Sequence, residues 1–305
     1  MDPGQELEGI RSAGVKAVTG HDEDYPTRLG EIYDKPPILG GLPSDDDRLV
    51  AVVGTRWAIA YGREVAHQLS SELALAGVTI VSGLARGIDG IAHRAALEAG
   101  RRTVAILGRG DGIYPREHTS LAEHITANGA VVSEHPLGTR PNAQNFPRRN
   151  RIISGMTLGT VVIEAPEGSG ALLTANHAIE QDREVFAVPG TIFSPGSQGA
   201  NWLIRDSSAK LVTDVKNILE ELNLSTVTRQ LEMAAFFPED EAGATVLKFV
   251  SFDPIHIDEI TRNSALAAST VSSALTMMEL ESLVRQVGGM NYMRLKETRT
   301  AYQIV

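Results

Sequence analysis

The sequence predicts an α/β protein whose core is a mostly parallel, doubly wound β-sheet, and three observations lead to this prediction. Short apolar runs alternate with longer helical runs from Leu49 to about Leu222, which is typical of a parallel sheet with crossover helices. The apolar runs are nearly uninterrupted, as expected for strands that are covered on both faces. With 305 residues, 42% of them hydrophobic, the chain has enough apolar material for two or three domains.

Seven runs are predicted as strands. Each is short and rich in Val, Ile and other residues that pack well in a buried sheet. Their predicted bounds are Leu49–Val53, Val78–Val81, Thr103–Leu107, Ala130–Val132, Thr160–Ile163, Glu184–Val188 and Lys210–Val212.

Helices are predicted between these strands. Their bounds are Gly62–Ala76, Ile88–Ala99, Thr119–Asn128, Ala171–Gln181 and Asp214–Leu222. A glycine follows three of them, at the position where a left-handed residue often ends a helix. These three glycines are Gly77, Gly100 and Gly129.

The segments that flank the sheet differ from it in composition. Residues 1–45 contain a short predicted helix, Leu7–Ala13, and are too few to form a core of their own. Residues 46–222 form the sheet domain. Residues 223–242 are polar and interrupted by Pro, and we predict a linker there.

Residues 243–305 are predicted to form a winged-helix-like domain. Three helices, Ala244–Phe252, Ile255–Arg262 and Ala267–Leu280, precede a hairpin that turns at Gly288-Gly289. The alternative is a three-helix dimerisation module, because residues 236–305 contain nine acidic residues against six basic ones.

The composition excludes several classes of site. There is no Cys, so disulfide scaffolds, thiolate metal sites and cysteine nucleophiles are excluded, and the reducing cytoplasm is the expected location. The N-terminus does not have the pattern of an export signal. No run of about 20 apolar residues predicts a membrane span, so we expect no membrane insertion.

Positive charge is concentrated in the middle of the chain. The net charge is −10, yet residues 86–151 contain ten Arg against six acidic residues, a local balance of +4. Arg is well suited to bidentate contacts with phosphate, so this stretch predicts an anion-binding surface. A solvated face that carries ion pairs explains the charge equally well.

Glycines and arginines follow the predicted strands at the edge where open parallel sheets bind ligands. Glycines let backbone N–H groups approach an anion, and an Arg can complete the site. Together the loops predict a phosphate-binding crevice, whereas any one of them alone fits an ordinary turn. They are Gly54-Thr55-Arg56, Ser82–Asp89, Gly108–Gly112, Glu164–Gly170 and Pro189-Gly190-Thr191.

A cluster of three Arg stands at the start of a predicted short helix whose first residue is Pro147. Cations at this end oppose the helix dipole, so something else must stabilise them. Either an anionic ligand or partner carboxylates such as Glu134 or Glu164 would do so. The three are Arg148, Arg149 and Arg151.

No cofactor or metal site is predicted. The chain contains no Gly-Lys-Ser/Thr, and the spacing from Gly54 to Gly62 is not that of a dinucleotide-binding loop. The His residues lack metal-ligand spacing. Asp89 and His93 lie four residues apart on a predicted helix, and we interpret them as a structural pair rather than a catalytic base.

Several strings, in order over roughly residues 20–222, resemble one known family. They are Val52-Val53-Gly54-Thr55-Arg56, Val81-Ser82-Gly83-Leu84-Ala85-Arg86-Gly87-Ile88-Asp89, Phe146-Pro147-Arg148-Arg149-Asn150-Arg151-Ile152-Ile153 and Ser169-Gly170-Ala171-Leu172-Leu173-Thr174-Ala175. On these residues the chain resembles the DNA-processing protein A family, also called DprA or Smf. The second and third strings are the most specific.

The resemblance implies an extended Rossmann-like domain that forms a homodimer and binds single-stranded DNA. It implies a role in natural transformation, in which the protein protects incoming DNA and helps load the RecA recombinase, with no enzymatic activity and no cofactor. The C-terminal segment resembles the winged-helix domain of some members. Its target is left open between duplex DNA and another protein.

The family's motifs also imply which residues contact DNA. Phe146 is the best candidate for base stacking, although a role as a core residue is equally compatible with the sequence. The full set of candidates, which includes Phe146 because it lies beside the Arg cluster, is Gly54, Thr55, Arg56, Ser82, Gly83, Arg86, Gly87, Phe146, Arg148, Arg149, Asn150, Arg151, Ser169, Gly170 and Asn176.

Two other functions compete with this one. Nucleotide-monophosphate phosphoribohydrolases resemble the family in fold and carry a catalytic Glu soon after a glycine-rich loop. Here the corresponding run, Pro166–Thr174, lacks that Glu, and Glu164 is the remaining candidate. In the other alternative, the Arg surface binds acidic protein partners.

Overall fold

The computed structural model describes residues 3–39, 48–110, 112–139, 142–224, 241–251, 254–280 and 284–294. Its contacts divide the chain into two compact units, Met1–Ser225 and Thr226–Val305, and each is described by itself. Most of the predicted linker 223–242 lies outside the described residues. The three boundaries between the four segments derived from the sequence therefore stay predictions.

Nine strands form one sheet in the first unit. They are β1 (Ala17–Val18), β2 (Ile38–Leu39), β3 (Leu49–Gly54), β4 (Thr79–Ser82), β5 (Thr103–Leu107), β6 (Ala130–Ser133), β7 (Gly159–Ile163), β8 (Glu184–Ala187) and β9 (Lys210–Leu211). Their order is β1-β2-β6-β5-β4-β3-β7-β8-β9. Strands β3 to β9 are parallel, and β3 pairs with β4 on one side and β7 on the other. The predicted doubly wound, Rossmann-like sheet is confirmed.

The two strands at one edge were not expected from the sequence. β1 and β2 pair antiparallel with each other, and β2 pairs antiparallel with β6. Each has only two residues, which is too short for a periodic apolar pattern. The N-terminal segment therefore extends the sheet, in addition to supplying a helix.

Nine α-helices belong to the described part of this unit. They are α1 (Pro3–Ser12), α2 (Thr27–Gly30), α3 (Ala60–Leu75), α4 (Ile88–Glu98), α5 (Thr119–Asn128), α6 (Asn145–Gly155), α7 (Gly170–Glu180), α8 (Gln198–Arg205) and α9 (Val215–Glu221). None of the helices in the described ranges is long and apolar enough to cross a membrane.

The helices cover both faces of the sheet, and β3 shows how. Val50 and Val52 belong to the core cluster that includes residues of α3 and α4, whereas Ala51 and Val53 belong to the cluster that includes residues of α6 and α7. Successive side chains of a strand point to opposite faces. A continuous apolar run is therefore what a strand buried on both faces requires.

Two local predictions need correction. Gly77 (φ +81°) and Gly100 (φ +65°) are left-handed as predicted, but Gly129 is extended (φ −163°). Gly129 is required for close packing, because a Cβ there would lie 1.9 Å from the carbonyl oxygen of Thr103. Helix α6 begins at Asn145, so Pro147 is its third residue rather than its first.

The second unit has the winged-helix arrangement that the sequence predicts. Its elements are α10 (Glu241–Leu247), β10 (Ile255–His256), α11 (Ile257–Ser264), α12 (Ala268–Leu280), β11 (Val284–Gln286) and β12 (Asn291–Arg294). Buried Val246, Ile260 and Leu275 join the three helices in one core. Ile255 does not begin a helix as predicted, because it pairs with Tyr292 and adds a third strand to the wing.

Candidate functional site

A crevice of about 700 Å³ opens beyond the carboxyl ends of β3 and β7, where the direction of winding reverses. Open parallel sheets bind ligands at this position. Its lining combines the loop after β3 with the starts of α6 and α7. Of the DNA-contact candidates predicted from the sequence, those that line the crevice are Gly54, Thr55, Arg56, Phe146, Arg149, Asn150, Ser169 and Gly170.

The loop after β4 packs tightly beneath the loop after β3. Gly87 has a left-handed φ of +72°, and a Cβ at this position would lie 2.2 Å from the carbonyl oxygen of Thr55. Only glycine fits both the conformation and the space. Ser82 is also held inside, since its hydroxyl donates a hydrogen bond to the carbonyl of Val52 (2.6 Å). Gly87 and Ser82 therefore support the crevice from below.

Arg149 is a buried cation at the base of the crevice and is only 4% exposed. Its Nη1 donates hydrogen bonds to the carbonyl oxygens of Gly83 (2.8 Å) and Ile106, and its Nε donates to Asn150 Oδ1 (3.3 Å). A Cβ at Gly83 would lie 2.5 Å from the guanidinium, so glycine makes room for it. Burial lowers the pKa of Arg149 to about 10, and the charge of Asp89 opposes this shift.

Asp89 faces Arg149 and does not pair with His93. Burial raises the pKa of Asp89, while the charge of Arg149 acts against the rise. Instead, the Nδ1–H of His93 donates to the hydroxyl of Thr103 (2.7 Å), which itself donates to the carbonyl of Ile80 (2.8 Å). The predicted Asp89–His93 pair is wrong, because the helix turns His93 toward the sheet.

Arg56 is the exposed cation of the crevice. Its guanidinium carbon lies 5.9 Å from the centroid of the Phe146 ring, a cation–π distance, and the Phe146 and Tyr114 rings are 6.1 Å apart. Arg56 has no ion-pair partner among the residues that the structure describes. Its charge also acts to lower the pKa of Arg149, as expected for two nearby cations that repel each other. An anion in the crevice would relieve this repulsion.

The start of α7 supplies a further polar group to the crevice. Ser169 precedes the helix, and its buried Oγ has no hydrogen-bond partner in the described part of the chain. Asn150 Nδ2 donates to the carbonyl of Gly170 (3.1 Å) and fixes this turn next to Arg149. An unpaired hydroxyl at a helix N-terminus is well suited to an anionic oxygen.

Arg151 belongs to a structural ion pair away from the crevice. Its Nη1 and Nη2 bind the two carboxylate oxygens of Glu134 at 3.0 and 2.8 Å, and its Nε donates to the carbonyl of Asp34 (3.0 Å). Of the two explanations for the Arg cluster, the partner carboxylate applies to Arg151. Glu164 binds none of the three Arg.

The other DNA-contact candidates that were predicted from the sequence do not line the crevice. Arg86 is exposed and forms a bidentate pair with Glu117 at 2.8 and 2.7 Å, which raises the pKa of Arg86. Arg148 and Asn176 are exposed on α6 and α7. Their contact with a ligand stays a prediction that requires a strand to run beyond the crevice.

Glu164 caps α3 rather than facing the crevice. It has a left-handed φ of +53°, and its Oε2 accepts a hydrogen bond from the backbone N–H of Ile59 (3.0 Å). Burial raises the pKa of Glu164. The only carboxylate among the described lining residues is Asp89, which faces buried Arg149. This geometry does not favour nucleotide hydrolysis. No group of three His, Asp or Glu in the described ranges could hold a metal ion.

Sequence reasoning missed two aromatic residues of the lining. Trp57 is 80% exposed and Tyr114 is 55% exposed. No spacing or periodicity marks Trp57, but its position next to Arg56 is a usable signal. Tyr114 reaches the crevice from a loop after β5, a proximity that only the folded sheet reveals.

Comparison with protein families identifies the chain. The model of DNA recombination-mediator protein A matches residues 16–223, and the DprA winged helix domain matches residues 232–290. The chain belongs to the DprA family. This confirms the resemblance and agrees with the winged-helix arrangement of the second unit.

Individual relatives support the same family. Protein Smf of Escherichia coli (strain K12) is 40% identical over 290 residues, which cover 92% of this chain and 77% of the relative. DNA processing protein DprA of Bacillus subtilis (strain 168) is 42% identical over 221 residues, covering 71% of this chain and 74% of the relative.

Solved structures of the family share the fold. The X-ray structure of DprA from Streptococcus pneumoniae superposes with a TM-score of 0.68 and 37% identity, covering 72% of this chain and 78% of the other. DprA from Helicobacter pylori, whose structure describes a single-stranded DNA binding mode, gives a TM-score of 0.62 and 25% identity. That match covers 71% of this chain and 96% of the other.

Proposed function

We propose that this chain binds single-stranded DNA in the crevice, with Arg56 as the principal cation that contacts phosphate. One observation carries the proposal: exposed Arg56 lies against Phe146 and near buried Arg149, so a stacking ring and two repelling cations share one opening. Single-strand sites combine cations for the backbone with aromatic faces for bases. The single-strand binding described for the Helicobacter pylori protein supports the same ligand.

The aromatic lining of the crevice favours a single strand over a duplex. The bases of a single strand are free to stack on Phe146, whereas the bases of a duplex are already paired and stacked on each other. Phosphates then lie near Arg56, the Ser169 hydroxyl and the start of α7. Because most of these contacts are to the backbone, we expect little preference for sequence.

Substitution of Arg56 tests the site. Arg56→Ala removes one cation, so single-strand binding weakens similarly for all sequences and the log–log salt slope becomes smaller by about 0.7 unit. Arg101→Ala is the matched control, because Arg101 is exposed and precedes β5. It therefore lies at the amino ends of the strands, away from the crevice. Fluorescence anisotropy with a labelled oligonucleotide measures both. Equal slopes for the two variants would place the site elsewhere.

In the cell, this binding would serve natural transformation: a cytoplasmic homodimer protects incoming single strands and helps RecA assemble on them. The family description as a recombination mediator supports this role. We expect the chain to speed RecA assembly on a single strand, and Arg56→Ala to reduce the effect. If the variant accelerated assembly as well as the native chain, the crevice would have no part in loading.

The winged unit has one of two targets, duplex DNA or a protein surface. Its acidic balance favours a protein, because nine acidic residues against six basic ones in residues 236–305 repel phosphates. Duplex binding by the full chain that survives Arg56→Ala would instead assign duplex DNA to this unit.

A further inference from the structure

Large apolar side chains are exposed around the start of α3 and on the loop after β8, next to the crevice. We call this set the aromatic rim. It consists of Trp57 (80% exposed), Ile59 (49%), Tyr61 (46%), Ile192 (78%) and Phe193 (89%). Contiguous exposed apolar groups on a protein surface mark an interaction site.

The two loops that carry the rim lie side by side. The hydroxyl of Tyr61 donates to the carbonyl of Pro189 (2.8 Å), at the start of the loop after β8. The Glu164 carboxylate lies between them: one oxygen accepts from the N–H of Ile59, and a Cβ at Gly196 would lie 3.0 Å from the other. Strands β3, β7 and β8 are neighbours, so they bring the rim together at their carboxyl ends.

The rim is continuous with the crevice and carries the same kind of charge. Trp57 lines the crevice directly after Arg56. Arg63, five residues beyond Ala58, is also exposed, and its guanidinium donates to the carbonyl of Ala58 (2.8 Å), which holds it beside the rim. Along the chain, Arg56 and Arg63 therefore flank the rim residues Trp57, Ile59 and Tyr61. This interleaving fits a single nucleic-acid strand, whose phosphates and bases alternate, better than an apolar protein surface.

We propose that the aromatic rim is a base-stacking extension of the single-strand interface, and that a strand leaving the crevice passes over Trp57 and Tyr61 toward Phe193. The proposal rests on the proposed function of the crevice. Trp57 and Phe193 supply faces for bases, and Arg63 supplies a further cation for the backbone.

A fluorescence experiment tests whether bases reach Trp57, where the rim meets the crevice. The chain has two Trp, so Trp202→Phe leaves Trp57 as the single Trp reporter in the full chain. Oligothymidylate should quench Trp57 by stacking. An abasic strand of equal length retains the phosphates without the bases and should not quench it.

Binding measurements supply the second arm. Trp57→Ala should weaken oligothymidylate binding by roughly fivefold to a hundredfold, the equivalent of losing one stacked base. Phe193→Ala should weaken binding of long strands and leave short ones unchanged. Tyr33→Ala is the control, because Tyr33 is fully exposed at a site outside the rim.

The outcomes separate the two proposals. If oligothymidylate binds but Trp57 is not quenched, or Phe193→Ala binds long strands as tightly as the native chain does, the rim proposal is wrong and the crevice proposal stands. If Trp57→Ala changes only the oligomeric mass in light scattering, the rim contacts protein and the proposal is also wrong. If the native chain binds no single strand at all, both proposals fail.

Discussion

Three neighbouring Arg of α6 have three different environments, and this difference defines the site at the scale of residues. Arg148 is exposed, Arg149 is buried under the crevice, and Arg151 pairs with Glu134. A helix turns about 100° per residue, which separates adjacent Arg148 and Arg149, whereas Arg151 differs from Arg148 because it lies within reach of Glu134. The sequence predicts that the cluster has charged partners, but only the packing of α6 shows which partner each Arg takes.

Arg149 should contribute more to stability than to direct contact with DNA. In Arg149→Ala, buried Asp89 loses its compensating charge and the carbonyls of Gly83 and Ile106 lose a donor. Removing one partner of such a buried arrangement costs about 3–5 kcal/mol of the free energy of unfolding. Urea unfolding measures it, with exposed Arg148→Ala as control. A loss below about 1 kcal/mol would contradict the structural role.

His93 should make the fold sensitive to acid. Burial lowers the pKa of His93 from 6.5 to about 3, so between these pH values the unfolded chain binds a proton that the folded chain does not. The contribution of His93 to the free energy of unfolding is therefore complete above pH 6.5. It decreases as the pH falls below 6.5, by up to about 1.4 kcal/mol per pH unit. In His93→Gln, the free energy of unfolding measured with urea should change less steeply with pH between pH 4 and 6.5. An unchanged slope would refute this assignment.

At the scale of elements, the sequence predicts the elements that build the site but not all of their contacts. Predicted β5 (Thr103–Leu107) and α5 (Thr119–Asn128) match the structure at both ends, because uninterrupted apolar runs and helix-ending residues are local signals. Glycine-rich loops after parallel strands predict the crevice for the same reason.

What the sequence does not predict depends on contacts between distant segments. Gly129 and Gly77 both follow a helix, but Gly129 is extended and packs directly against the backbone of Thr103. The sequence predicts a helix that begins at Ile255, and only the pairing with Tyr292 shows that Ile255 belongs to a strand. Glu164 reads as a catalytic candidate, and only the folded chain shows that it caps α3 through Ile59.

At the scale of the whole molecule, an acidic protein presents a local cationic site. The net charge of −10 repels nucleic acid at long range, so attraction must come from the crevice and its surroundings. Binding of this kind is strongly weakened by salt, because phosphate contacts release counterions. It also favours a strand that can place bases against Phe146.

The measurement that tests this most directly is a fluorescence-anisotropy titration of a labelled oligothymidylate and of the matching duplex with the full native chain, each across a salt series. We expect tighter binding of the single strand, with a negative log–log salt slope of several units. Absence of single-strand binding at low salt, or a duplex affinity that equals the single-strand affinity and is weakened equally by Arg56→Ala, would contradict the assignment of the crevice to single-stranded DNA.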